Sequence, residues 1–206
     1  MSSRKTRRKL SGGLKRPIVV ELSVDDPIIA FSKEIKDQLI DKIKEKYNKI
    51  GWFRKQVVAK SPGWFTSKSK YIVNEKLPHI IKLISQKLND QGLDVQPLRD
   101  SDIYVEIEYA NAEAKPIKND FIIHKDNHSV IDCNVHTFMV FLDMDCQGGE
   151  LAFYSPKKEF IESLDSTSKN DDTKKVVMYN GGWYNNPLPI THGKRVVVMY
   201  YLRQHT

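Results

Sequence analysis

Residues 184–203 read YNNPLPITHGKRVVVMYYLR. From Lys194 onward the run is β-branched, aromatic and aliphatic, which predicts a strand over 194–203. The preceding stretch is a polar, proline-bearing loop that carries one imidazole, His192, and ends in Gly193-Lys194-Arg195. Residues i and i+2 of an extended chain share a face. If Arg195 points into the fold, positions 193 and 197 go with it, and His192 turns away. The stretch therefore offers a buried guanidinium and leaves open what the loop before it binds.

Upstream of this strand, short runs follow one another with turns between them. They are DIYVEIEY (102–109), NDFIIHKD (119–126), NVHTFMVFLDM (134–144), GELAFY (149–154) and KKVVMYN (174–180). This texture predicts a β-sandwich or small barrel, with the polar segment 155–175 as an insertion on its rim. Before residue 100 the periodicity is helical. PIVVEL (17–22) reads as a strand. Phe31, Ile35, Leu39, Ile43, Tyr47 and Ile50 then line one face of a helix that Gly51 stops. Residues 52–73 read as irregular, an exposed strand or a mobile loop with paired aromatics. Asn74 is read as the cap of a second helix, with Pro78 in its first turns, Leu77, Ile80, Ile81, Ile84 and Leu88 on one side, and Gly92 at its end. Helices followed by strands give an α+β fold, with N-terminal helices packed outside a β-structure.

The chain of 206 residues suffices for one domain with a real core. It holds no window of eighteen apolar residues, so no transmembrane helix and no membrane partner is expected. The basic N-terminus has no apolar run behind it and does not read as a secretory signal. Cys133 and Cys146 form no CxxC pair and read as reduced thiols. The expected location is intracellular, cytoplasmic or nuclear, and not secreted. The net charge of +7 has one address: residues 1–16 carry seven of the 33 basic residues and no acid, leaving 26 of each sign elsewhere. That segment reads as a disordered basic tail, either a solvated arm or a contact for nucleic acid.

Of six histidines, His79 and His205 read as solvated and His136 as a packed or surface imidazole within a strand. His124 is followed two residues later by Asp126, so the two side chains share a face at a strand end. Two histidines and one carboxylate in this arrangement make the facial triad of non-haem Fe(II) oxygenases, which leaves positions open for substrate and O₂. Gly148-Gly149-Glu150-Leu151 then turns the chain, and Arg195 suits a bidentate carboxylate clamp.

The order H-x-D, GGEL, P-I-T-x-G-x-R and a closing strand, over residues 103 to 203, resembles the double-stranded β-helix of the Fe(II)/2-oxoglutarate-dependent oxygenases, and most of all their prolyl 4-hydroxylase branch. The resemblance implies a jelly-roll or cupin-like barrel over 101–206, a helical support region over 17–100 and the tail over 1–16. It implies Fe(II), with 2-oxoglutarate and O₂ as co-substrates and ascorbate as a candidate accessory, in the hydroxylation of a peptide or protein side chain. It assigns His124 and Asp126 to the metal and Arg195 to the far carboxylate of 2-oxoglutarate. Tyr109, Thr137 and Phe141 fall where the co-substrate pocket is lined, and Trp52–Phe65 where a lid would lie. The branch's pattern H-x-x-x-P-V-T-x-G-x-R matches Pro189, Thr191, Gly193 and Arg195, and its histidine falls on Asn185. Asn185 and His192 stand as alternatives for the third metal position, with His128 behind them. Two other readings remain: a catalytically impaired binding protein on the same fold, and an oxygenase acting on nucleic acid.

Overall fold

The computed structural model describes residues 16–47, 52–58, 67–92, 95, 103–112, 123–126, 133–155, 157–165 and 171–205. Residues 1–15 of the basic tail, His128 and the segment 59–66 lie outside them. The elements in chain order are β1 (Ile18–Ser23), α1 (Pro27–Tyr47), β2 (Trp52–Val58), α2 (Ser67–Asp90), β3 (Ile103–Asn111) and β4 (His124–Lys125). There follow β5 (Cys133–Gly148), β6 (Leu151–Tyr154), β7 (Phe160–Leu164), β8 (Thr173–Asn180), β9 (Tyr184–Pro187) and β10 (Ile190–His205).

Strand alternation builds two layers. A six-stranded sheet has the order β1-β8-β5-β10-β3-β2, and a four-stranded sheet the order β4-β9-β6-β7. All the strand pairings are antiparallel. On the large sheet one set of alternate residues, including Ile107, Phe138, Val140, Val198 and Tyr200, packs against the helices. The other set, including Met139, Phe141, Val177, Tyr179 and Val197, packs against Leu151 and Phe153 of the small sheet. This is the α+β double-stranded β-helix with helices outside. The two sheets face each other as an open jelly roll, with no hydrogen-bonded closure into a barrel among the described residues.

The helices are fixed by recognisable signals. Asp26 caps α1, its Oδ1 accepting from the Ile28 N–H at 2.9 Å, and Pro27 occupies the first helical position, where its missing N–H costs nothing. Ser32 ties α1 to the sheet through a 2.7 Å hydrogen bond with the Tyr200 hydroxyl. Burial pushes the Tyr200 pKa up and the Ser32 contact only partly offsets it, so this hydroxyl stays protonated.

Three expectations are corrected here. Asn74 is not a cap, because α2 already begins at Ser67 and runs through Pro78. An interior proline costs about 3 kcal/mol. Burial of Leu77, Ile80, Ile81, Ile84 and Leu88, at about 1.5–3 kcal/mol each, outweighs that loss. Trp52–Val58, the described part of the proposed lid, is an edge strand paired with β3, so its backbone is committed to the sheet. The polar segment 155–175 contains β7, which pairs with β6 and so belongs to the small sheet.

Candidate metal and co-substrate site

Asp126 sits between the two sheets and is the centre of the first cluster. Its Oδ2 accepts from Thr137 Oγ1 at 2.6 Å and from the Tyr179 hydroxyl at 2.7 Å, both on the inner face of the large sheet. Its Oδ1 faces His124 Nε2 at 3.5 Å and accepts from the Asn185 side-chain amide at 3.3 Å. His124 and Asn185 are direct partners across β4 and β9. The chain's H-x-D and the position where the family pattern has histidine thus meet around one carboxylate oxygen. Asn185 is 1% exposed.

Desolvation is the largest influence on Asp126 and raises its pKa. Hydrogen bonds from His124, Thr137 and Tyr179, together with the imidazole's charge, outweigh it, and the carboxyl ends below its ordinary value. Burial, and then the charge of Asp126, push Tyr179 far up, which keeps its hydroxyl protonated and donating. Thr137→Val keeps the shape and removes one of these donors. It is expected to lower stability by about 1–3 kcal/mol, the usual cost of leaving a buried charged acceptor short of a partner, as read by denaturant unfolding.

The second cluster surrounds Arg195, which is 2% exposed. Its Nη1 donates to the Gly149 carbonyl at 3.0 Å and its Nη2 to Glu108 Oε1 at 2.5 Å. Gly149 has φ +82°, and a Cβ there would meet Ile190 Cγ2 at 2.7 Å and approach Arg195 Nη1 to 3.1 Å, so both the turn and the packing beside the guanidinium favour glycine. A narrow cavity beside the pair is lined by Met139, Phe141, Leu151, Val197 and Met199. Of the three residues that the family likeness put around a co-substrate pocket, Phe141 is the one lining this cavity.

The other sequence-predicted residues are distributed as follows. Thr137 binds Asp126 instead of lining the cavity at Arg195. Tyr109 packs on the helix side of the sheet, and its neighbour Glu108 faces inward. The alternation of Val105, Ile107 and Tyr109 carries the signal for this, since three apolar residues on one parity put Glu106 and Glu108 on the other. His192 is exposed on β10 opposite Gln147, away from the Asp126 cluster, as strand parity requires. His79 is exposed on α2, and His136 is buried in β5.

No protein-family model and no curated protein sequence matches the chain. Solved structures do. A Burkholderia pseudomallei oxidoreductase of the 2OG-Fe(II) oxygenase family aligns at TM-score 0.55 and 12% identity, over 89% of this chain and 82% of that one. A Trichoplax adhaerens prolyl hydroxylase, in complex with a hypoxia-inducible-factor peptide fragment, aligns at TM-score 0.54 and 12% identity over 90% and 83%. A Pseudomonas putida prolyl-4-hydroxylase aligns at TM-score 0.50 and 12% identity over 91% and 92%. The fold is that of the 2-oxoglutarate/Fe(II) oxygenases. At such identities the likeness speaks for architecture, and the chemistry must be argued from the two clusters.

Among the described residues no group of three His, Cys, Asp or Glu side chains converges as a metal site. The donor set at Asp126 is one imidazole, one carboxylate and one amide. Turning the Asn185 amide by half a turn exchanges its NH₂ for its carbonyl oxygen. In that state the donors on offer would be His124 Nε2, Asp126 Oδ1 and the amide oxygen, a nitrogen and oxygen set whose chemistry suits a divalent cation. At the second cluster Arg195 already holds a carboxylate, that of Glu108, so a carboxylate from outside fits there less well.

Proposed function

We propose that the chain is an Fe(II)/2-oxoglutarate-dependent oxygenase with asparagine in the third ligand position, acting on a peptide or protein side chain. The observation that supports it is the meeting of His124, Asp126 and Asn185 around Asp126 Oδ1, between sheets of the oxygenase fold. Thr137 and Tyr179 hold the far oxygen, so Oδ1 is the one turned toward the metal position. His124 and Asp126 would bind Fe(II), with the turned amide of Asn185 as a weak third donor. Bound iron would supply the activation of O₂ coupled to decarboxylation of 2-oxoglutarate. Phe153 and Tyr179, both buried, wall the inner side of the cluster, which reaches solvent on the side of the partly exposed His124. A peptide-class substrate is supported by the Trichoplax neighbour, which is in complex with a peptide fragment.

A second reading, a non-catalytic binding protein on the same scaffold, is favoured by a different observation. Asp126 and Arg195, the buried charges at the centres of the two clusters, already have partners within the chain. The nucleic-acid reading rests on the basic arm, most of which lies outside the described residues.

Anaerobic titration with Fe(II), followed by assay of succinate release at high 2-oxoglutarate, separates these readings. The oxygenase reading expects about one Fe(II) per chain, lost in Asp126→Ala, and slow succinate release. A folded protein that takes up no Fe(II), or whose uptake survives Asp126→Ala, sinks it in favour of the binding protein.

A further inference from the structure

Glu108 and Arg195 are diagonal neighbours across β3 and β10, since Glu108 faces Val197 and Arg195 faces Ala110. Both side chains are buried, at 4% and 2% exposure, and their contact is one-sided: Nη2 meets Glu108 Oε1, and Nη1 is spent on Gly149. The Nε–H of Arg195 has no hydrogen-bond partner among the described residues. A guanidinium offers a planar fork that a carboxylate saturates by taking two N–H groups in parallel. Here one carboxylate takes one of them and leaves a buried donor unmet. The rest of the cavity is apolar and retains about 10 Å³ of free volume, room for one water molecule. A five-carbon dicarboxylate cannot reach Arg195 unless Glu108 leaves.

We propose that Glu108 is a built-in occupant of the carboxylate seat at Arg195, which an incoming dicarboxylate must displace. This rests on the reading of Arg195 as the clamp for the co-substrate's far carboxylate. The competing species are alike in charge and chemistry, so the exchange is a swap of one Arg–carboxylate contact for another, with the inward state favoured by the covalent tether. The fraction of chains with an open seat divides the intrinsic affinity, so an inward state populated 99:1 weakens dicarboxylate binding about a hundredfold. Glu108 then acts as a brake on co-substrate entry, and neither cluster alone determines whether the site is filled.

Chemical rescue without metal tests this. Wild type, Glu108→Ala and Glu108→Gln are compared by thermal unfolding and calorimetric titration with glutarate and 2-oxoglutarate. Glu108→Ala leaves Arg195 buried without its partner, so its Tm is expected below that of wild type. Millimolar glutarate is expected to restore it, with affinity at least about tenfold tighter than wild type shows. Glu108→Gln keeps the volume and loses the charge, and serves the same comparison if the alanine variant does not fold. Glu108→Ala/Arg195→Met is expected to lose the rescue. Equal dicarboxylate binding by wild type and the single variants overturns the proposal, as does absence of binding in all of them, or rescue that persists without Arg195. No iron enters these measurements, so a failure to bind Fe(II) sinks the oxygenase reading and leaves this result readable.

Discussion

Replacing Arg195 with methionine is expected to lower the unfolding free energy by about 3–5 kcal/mol, because it strands the buried carboxylate of Glu108. The size of the effect comes from geometry rather than from the strength of the pair. Both groups are withdrawn from water, so the attraction between them mainly offsets desolvation already incurred. Removing one partner leaves the other's desolvation uncompensated. Removing both should therefore be far milder: Glu108→Leu/Arg195→Met is expected to regain most of the loss and to pack against Met139, Phe141 and Met199. Urea unfolding of wild type, Glu108→Leu, Arg195→Met and the double variant closes the double-mutant cycle. An Arg195→Met loss below about 1 kcal/mol, or single effects that simply add, would show that the pair is not coupled in solution.

Asn185→His is expected to raise Fe(II) affinity by roughly two orders of magnitude, or about 3 kcal/mol. The position lies on β9 directly opposite His124, and the present side chain already reaches Asp126. An imidazole there exchanges a weak neutral amide for a ligand type suited to iron and completes two histidines and a carboxylate. The same change removes a hydrogen bond to Asp126, so the metal-free variant should be slightly less stable than wild type, by about 1 kcal/mol. Bound metal should more than reverse that, since a ligand that binds only the folded state stabilises it in proportion to its occupancy. Anaerobic calorimetry and Tm with and without Fe(II) read both signs. Unchanged affinity in Asn185→His, with affinity lost in His192→Ala, would mean that His192 and not Asn185 serves the metal.

The two experiments address separate halves of the site. Met139 and Phe141 follow Thr137 on the inner face of β5, so Asp126's hydroxyl donor and the cavity beside Arg195 lie along one strand, about 13 Å from position 137 to 141. A chain that binds metal but not dicarboxylate, or the reverse, would locate the departure in one cluster. Loss of both would favour the binding protein.

Much of this was legible in the residues themselves. Alternation and β-branched content marked most of the strands. The i, i+2 spacing of His124 and Asp126 put them on one face, and parity from Arg195 turned His192 outward, because those relations are local to one extended chain. The family pattern, counted back from Arg195, singled out Asn185, and the structure pairs that residue with His124. Other features depend on partners far away in sequence. Trp52–Val58 is a strand because β3 is there to pair with it, and α2 runs through Pro78 because a buried face outweighs a lost hydrogen bond. The alternation of Val105, Ile107 and Tyr109 set Glu108 on the opposite face, but that Thr137 serves Asp126 and that Glu108 meets Arg195 followed only from the register between β3, β5 and β10. Sequence determined which chemical groups this protein has to work with. Tertiary structure decided which of them neutralise one another, because burial makes a charge's nearest partner, and not its neighbour in the chain, control its energy.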